Sequence, residues 1–300
     1  MTAVKNYLSL IKFSHTIFAM PFALIGFFLG IVDSKPADFS NQFNDSLIPL
    51  ISITTKFFLV LLCMITARSA AMAFNRYLDR TFDAKNPRTA VREIPAGIIT
   101  AKNALLFTIV SCILFIACTY FINSICFYLS PVALFVILFY SYTKRFTPLC
   151  HLVLGLGLSL APIGAYLAVT GVFALLPILF SFAVLFWVSG FDIIYALQDE
   201  AFDKENELYS IPAIMGKSKA LVVSVLLHVI SAAAVIAAGF YGHFGLWYCM
   251  GIAVFVGMLI YQHSIVKPND LSKVNIAFMT ANGIASVVFA IFVLLDLFLK

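Results

Sequence analysis

Five oxygen-bearing side chains in two places could do chemistry together. In the run Asn75-Arg76-Tyr77-Leu78-Asp79-Arg80-Thr81-Phe82-Asp83, the residues Asn75, Asp79 and Asp83 are spaced i, i+4, i+8. On a helix they share one face, with neighbours about 5–6 Å apart. In Tyr195-Ala196-Leu197-Gln198-Asp199-Glu200-Ala201-Phe202-Asp203, Asp199 and Asp203 repeat the i, i+4 step. Carboxylates so placed repel unless a cation lies between them. Hard oxygen donors that leave room for water and phosphate suit Mg²⁺, so all five are read as metal-holding residues for a diphosphate. One such pair is an ordinary charged helix end; two of them on one membrane face ask for a ligand.

Each cluster is preceded, seven residues earlier and on the same helical face, by a charge: Arg68 before Asn75 and Asp192 before Asp199. A charge inside a membrane span costs about 2.5–3.5 kcal/mol on insertion scales, so it needs a partner or a polar cavity. Arg68 and Asp192 are therefore either an ion pair between two helices or the lining of a substrate cavity, with Arg68 facing an anionic group. Basic residues crowd the clusters: Arg76, Arg80, Lys85, Arg88, Arg92, Lys144, Arg145 and Lys204. Lipid head groups and topology account for part of these. A diphosphate leaving group accounts for others, because the metal alone does not neutralise it. The five histidines show no metal-ligand spacing, and only His15, near the start of the first apolar run, is considered for chemistry. No GxSxG, HExxH, phosphate-binding loop or dinucleotide fingerprint occurs.

The elements that must carry these residues are membrane helices. Of 300 residues, 62% are hydrophobic and 11% charged, with mean hydropathy +1.02, against roughly a quarter charged in soluble domains. Apolar runs of about 20 residues predict nine spans near 13–32, 50–74, 103–122, 125–142, 150–170, 172–194, 218–239, 246–262 and 275–298. The expected fold is all-α, one polytopic bundle forming a single domain over 1–300. With the N-terminus inside, nearly all of the 19 Lys and Arg fall on the inner side. Lys35, Lys56 and Lys300 fall outside, and Arg68 lies within the second span. The positive-inside rule then places both acidic clusters at the cytoplasmic face of an integral membrane protein, the inner or plasma membrane if the source is bacterial. Cys63, Cys112, Cys118, Cys126, Cys150 and Cys249 lie in or beside apolar runs without CxxC spacing and read as small buried hydrophobes.

These motifs resemble the UbiA-type membrane prenyltransferases. Asn75, Asp79 and Asp83 match the family's first signature, and Asn86-Pro87-Arg88-Thr89-Ala90 with Arg92 and Ile94-Pro95-Ala96-Gly97 is similar to its continuation. Tyr195, Asp199 and Asp203, followed by Ser210-Ile211-Pro212-Ala213, match the second. Tyr140 with Lys144 and Arg145 resembles the YxxxK element. Phe13–Leu24 and Leu160–Tyr166 are also family-like. Within the family, the segments resemble the 4-hydroxybenzoate polyprenyltransferase branch or its relative acting on 1,4-dihydroxy-6-naphthoate in the futalosine route. Arg76 is a departure, since many relatives carry Asp directly after the Asn.

The resemblance implies Mg²⁺-dependent transfer of a polyprenyl group from its diphosphate to an aromatic acid in ubiquinone or menaquinone biosynthesis. It implies a diphosphate set of Arg88, Arg92, Tyr140, Lys144 and Arg145; beside that set, Arg68, Asp192 and Tyr195 are the candidate catalytic residues. Arg68 would take the acceptor's carboxylate, and Asp192 or Tyr195 would lie near its hydroxyl or the departing proton. The expected partners are the prenyl diphosphate, the aromatic acceptor and the bilayer, with no nucleic acid. Haem or chlorophyll-type prenylation is an alternative among enzymes, and an ion-coupled transporter is one from another class. Transport sites usually lie near the bilayer midplane, whereas these acids stand at helix ends. A phospholipid-synthesising enzyme would need glycine where Asn75 stands.

Overall fold

The structure is a computed structural model that describes residues 2–11, 18–34 and 47–299. The first expected span lies partly outside these residues, and His15 wholly so. In chain order the helices are α1 (Thr2–Leu10), α2 (Met20–Asp33), α3 (Leu47–Lys85), α4 (Ala101–Ile122), α5 (Ser124–Thr143), α6 (Cys150–Thr170) and α7 (Leu175–Ala196). The short α8 (Glu200–Glu205) and α9 (Ile211–Met215) follow, then α10 (Lys217–Tyr241), α11 (Leu246–Ile265) and α12 (Asn282–Leu299). Among the described residues, eight helical stretches are long and apolar enough to cross a membrane, and α2 is a shorter apolar ninth. The protein is an all-α polytopic membrane protein.

Packing joins α3 to α4 and α5, α5 to α6, α6 to α2 and α7, and α7 to α10; α11 and α12 pair and close on α2. Close approach depends on small residues, as is common between membrane helices. A Cβ on Gly26 of α2 would lie 2.0 Å from the Pro162 carbonyl oxygen of α6, and one on Gly155 of α6 would lie 2.3 Å from that of Leu185 on α7. Between α2, α7, α11 and α12 lies an aromatic core that includes Phe22, Phe180, Trp187, Phe255 and Phe289, all fully buried. Most of the phenylalanines in this half pack against one another, leaving the other half of the bundle to open.

Three local features differ from a plain reading of hydropathy. Helix α3 does not stop near residue 74 but runs unbroken through Asp79 and Asp83 to Lys85. After α7 the chain tightens into a 3₁₀ turn at Leu197–Asp199 before α8 begins, so Asp199 and Asp203 stand on either side of a change in helical pitch. The last span opens with a π-helix, Ile276–Ala281. There the Asn282 amide donates to the carbonyls of Ala277 and Phe278, and its oxygen accepts from Trp187 Nε1 at 2.9 Å. A side-chain amide supplying partners for a widened turn is how such a bulge is kept inside a bilayer.

Candidate active site

One cavity of about 870 Å³ opens in the half of the bundle built from α3, α5, α6 and the end of α7. Each of Arg68, Asn75, Asp79, Asp83, Arg88, Arg92, Tyr140, Lys144, Arg145, Asp192, Tyr195, Asp199 and Asp203 lines it. Of the basic residues dense in the sequence, Arg80, Lys85 and Lys204 do not. Arg80 donates to the Tyr77 carbonyl and covers its ring, and Lys204 pairs with Glu200 one helical turn away.

The two acidic helix ends face each other. Asn86 and Arg88, in the loop just past the first cluster, reach the second: Asn86 Nδ2 donates to Asp199 Oδ1 at 3.2 Å. Arg88 grips the same carboxylate with Nε at 3.0 Å and Nη2 at 2.5 Å. Its Nη1 donates to the Tyr195 hydroxyl at 3.1 Å. From α5, two consecutive residues divide between the clusters. Lys144 Nζ lies 2.7 Å from Asp203 Oδ1, and Arg145 Nη2 donates to Asp79 Oδ1 at 2.8 Å. Adjacent residues cannot bridge carboxylates that are far apart. The clusters therefore share one chamber.

Within the first cluster Asn75 Nδ2 donates to Asp79 Oδ2 at 3.0 Å, and Arg92 Nη1 donates to Asp83 Oδ1 at 2.6 Å. Asp83 Oδ2 accepts no hydrogen bond, and Arg76 Nη1 lies 4.0 Å from it. In the second cluster Asp203 is fully buried, and Ser210 Oγ donates to its Oδ2 at 2.9 Å. That hydroxyl also accepts from Ala213 N, capping α9 and fixing the loop beneath the carboxylate. Burial pulls down the pKa of the Lys144 ammonium, but the Asp203 carboxylate, with Asp199, outweighs it and holds the group above the ordinary lysine value. The same balance, with burial opposed by Asp199 and Tyr195, raises the Arg88 guanidinium. Both stay charged at neutral pH.

The ion pair of Arg68 with Asp192, one of the two readings of these charges, is absent among the described residues. Asp192 Oδ2 is taken instead by His151 Nδ1 at 2.7 Å, and the backbone N–H of Ile211 donates to His151 Nε2 at 3.4 Å. An ionised carboxylate has no proton to give, so His151 Nδ1 is the donor to Asp192. Arg68 lines the cavity with Nε unpartnered. The geometry thus follows the second reading of these two charges, a lined cavity, and adds a histidine that lone-residue reasoning passed over. No spacing rule links His151 to Asp192, because they lie on different helices. Below Arg68 the chamber becomes apolar, bounded by residues such as Val60, Met64, Ile122, Leu129 and Phe173. Phe278, presented by the π-helix, lies 4.3 Å from the Tyr195 ring, centroid to centroid.

Comparison with known proteins now bears on this arrangement. The sequence description of the UbiA prenyltransferase family matches residues 45–284. The chain belongs to that family. This UbiA protein is accordingly a prenyltransferase. It is 33% identical over 227 residues to 4-hydroxybenzoate octaprenyltransferase of Nitrosomonas europaea, covering 75% of this chain and 77% of the relative. A protein of the same description from Tolumonas auensis is 31% identical over 224 residues, with 74% and 78% covered. Among solved structures, the apo form of a UbiA homologue from Aeropyrum pernix K1 superposes with a TM-score of 0.76 at 27% identity, over 95% of this chain and 97% of that one. A UbiA homologue from Archaeoglobus fulgidus bound to DMAPP and Mg²⁺ shares the fold, with TM-score 0.68 at 21% identity over 97% and 99%.

The residues of this UbiA prenyltransferase suit a magnesium–diphosphate head group. Asn75, Asp79, Asp83, Asp199 and Asp203 supply hard oxygens, and the buried Asp83 Oδ2 is left without a hydrogen bond. No three His, Cys, Asp or Glu side chains converge tightly enough among the described residues to enclose an ion alone.

Proposed function

We propose that this enzyme transfers a polyprenyl group from its diphosphate to the ring of an aromatic acid, of the 4-hydroxybenzoate or dihydroxynaphthoate kind, in quinone biosynthesis, on the cytoplasmic face of the membrane. The observation that carries it is the double bridge between the acidic ends: Arg88 on Asp199, and Lys144 with Arg145 on Asp203 and Asp79. Such a chamber holds five oxygen-bearing metal-holding candidates and six cationic side chains, Arg68 and Arg76 among them, around one opening. The names of the relatives from Nitrosomonas and Tolumonas support the acceptor class.

Asn75, Asp79 and Asp83 on one side and Asp199 and Asp203 on the other would hold Mg²⁺. The metal, when bound, supplies charge neutralisation for the diphosphate and its departure. Arg88, Arg92, Lys144 and Arg145 are placed to bind the same group, with Tyr140 one turn before Lys144 on α5. The allylic C–O bond breaks as pyrophosphate leaves with the electron pair. A ring carbon of the acceptor forms the new C–C bond, and that carbon then loses its proton. Arg68 orients the acceptor through its carboxylate, and Asp192, held by His151, faces the cavity where the proton is released. The Tyr195 and Phe278 rings shield the cationic carbon from water, and the apolar reach past Arg68 takes the tail.

The test uses purified full-length protein with Mg²⁺, a polyprenyl diphosphate, and 4-hydroxybenzoate or 1,4-dihydroxy-6-naphthoate, with products identified by mass. Wild type should prenylate one acceptor. Asp79→Ala and Asp199→Ala should lose turnover by about 10³-fold or more while remaining folded in the membrane. Near-normal rates in either variant would refute the shared diphosphate site.

A further inference from the structure

Arg76 follows the first metal-binding candidate directly and has no place in the scheme above. It lines the same chamber yet is only 4% exposed, and neither Nε nor Nη1 has a hydrogen-bond partner. Among the described residues its single ionic contact is a long one, 4.0 Å to Asp83 Oδ2. Arg92 already holds the other oxygen of that carboxylate at 2.6 Å, so two guanidiniums share one negative charge. The remaining acid beside it, Glu93, accepts from Ser9 Oγ at 2.5 Å and forms no ion pair among the described residues. A buried guanidinium with unused donors is expensive to keep unless an anion arrives to meet it.

We propose that Arg76 binds the diphosphate of the prenyl donor directly, as a fixed cation built into the floor of the site. This rests on the proposed function, because it names a further contact for the same head group. The fork of donors on a guanidinium matches phosphate oxygens, and Arg76 stands about one helical turn before Asp79 on α3, within ion-pair distance of the carboxylate that Arg92 holds. Position separates its role from that of Arg68, two turns deeper in α3 and beside the apolar reach of the cavity. A site with a resident cation should hold part of its affinity for pyrophosphate without any metal.

Inorganic pyrophosphate binding to the full chain in detergent, followed by calorimetry with Mg²⁺ and again with EDTA, tests this. Wild type should bind in both conditions. Arg76→Gln should lose roughly tenfold in the EDTA series, the size of one charge-assisted hydrogen-bonded contact, while 4-hydroxybenzoate affinity stays unchanged. Arg76→Asp should lose metal-free binding altogether and take up more Mg²⁺ per bound pyrophosphate than wild type. Equal metal-free affinity in wild type and Arg76→Gln overturns the inference, as does a loss confined to 4-hydroxybenzoate. Should Arg76→Gln fail to fold, Arg76→Lys decides: metal-free pyrophosphate binding weakened a few-fold supports the role, and unchanged binding overturns it. If wild type fails to bind pyrophosphate even with Mg²⁺, the proposed function itself falls, a different result from an Arg76 variant that binds normally.

Discussion

Lys144 and Asp203 form an ion pair whose two ends are unequally wet, and that inequality can be measured. The Lys144 side chain is 34% exposed, whereas that of Asp203 is 0% exposed. Lys144→Met would leave a fully buried carboxylate without its cation. Breaking a buried pair from one side costs about 3–5 kcal/mol. The partial exposure of the lysine, and the Ser210 hydroxyl that still donates to Asp203 at 2.9 Å, reduce this to about 2 kcal/mol. Asp203→Asn leaves an ammonium that can turn to water and should cost less than about 1 kcal/mol. The double variant removes both charges and should recover most of the loss. Thermal unfolding of the full chain in detergent reads the difference, with about 4–8 °C expected for Lys144→Met at roughly 2–4 °C per kcal/mol. The Lys144 pKa lies above the ordinary lysine value, so its contribution is complete below that range and fades only as pH rises through it. The gap between wild type and Lys144→Met should thus be flat over about pH 7–9. Equal losses in the two single variants, or a double variant no better than Lys144→Met, would refute the assignment of the burden to Asp203.

Arg68→Met should raise the KM for the aromatic acid by about 10–100-fold while leaving that for the prenyl diphosphate within about threefold, as steady-state kinetics with each substrate varied will show. Asp296, far from the chamber, accepts from the backbone N–H groups of Gly245 at 2.7 Å and Tyr248 at 3.2 Å, at the start of α11. Asp296→Ala strips that helix end of its acceptor and should cost about 2 kcal/mol of stability with no change in either KM.

The acidic clusters were legible because i, i+4 spacing is a property of one helix, and one helix is what a sequence displays. Asp79 and Asp83 needed only α3 to continue. What joins the clusters was not legible in the same way. Arg88, Lys144 and Arg145 could be marked as nearby charges and Asn86 as part of a family-like run, but which carboxylate each one grips depends on how α3, α5 and α7 are arranged. Arg68 and Asp192 show the limit most plainly. Their matching offset of seven left two readings open, a pair or a cavity lining, and only the α6–α7 contact, which brings His151 to Asp192 and leaves Arg68 facing the cavity, separates them. The π-helix was hidden for another reason. Its signal lies in one buried asparagine bonded to Trp187, and hydropathy averages such a residue away.

The unbroken length of α3 has a consequence for how a molecule with an oily tail and a multiply charged head is handled. At 39 residues and 1.5 Å per residue the rod is about 58 Å long, nearly twice the roughly 30 Å of hydrocarbon it crosses. That surplus length leaves room for its aspartates to stand clear of the oily layer while Val60 and Met64, about four to five turns from Asp79 on the same rod, stay inside it. An amphiphile can slide in sideways with its head in the watery margin and its tail still dissolved in lipid. It never has to be lifted out, so catalysis should respond to the thickness of the surrounding bilayer.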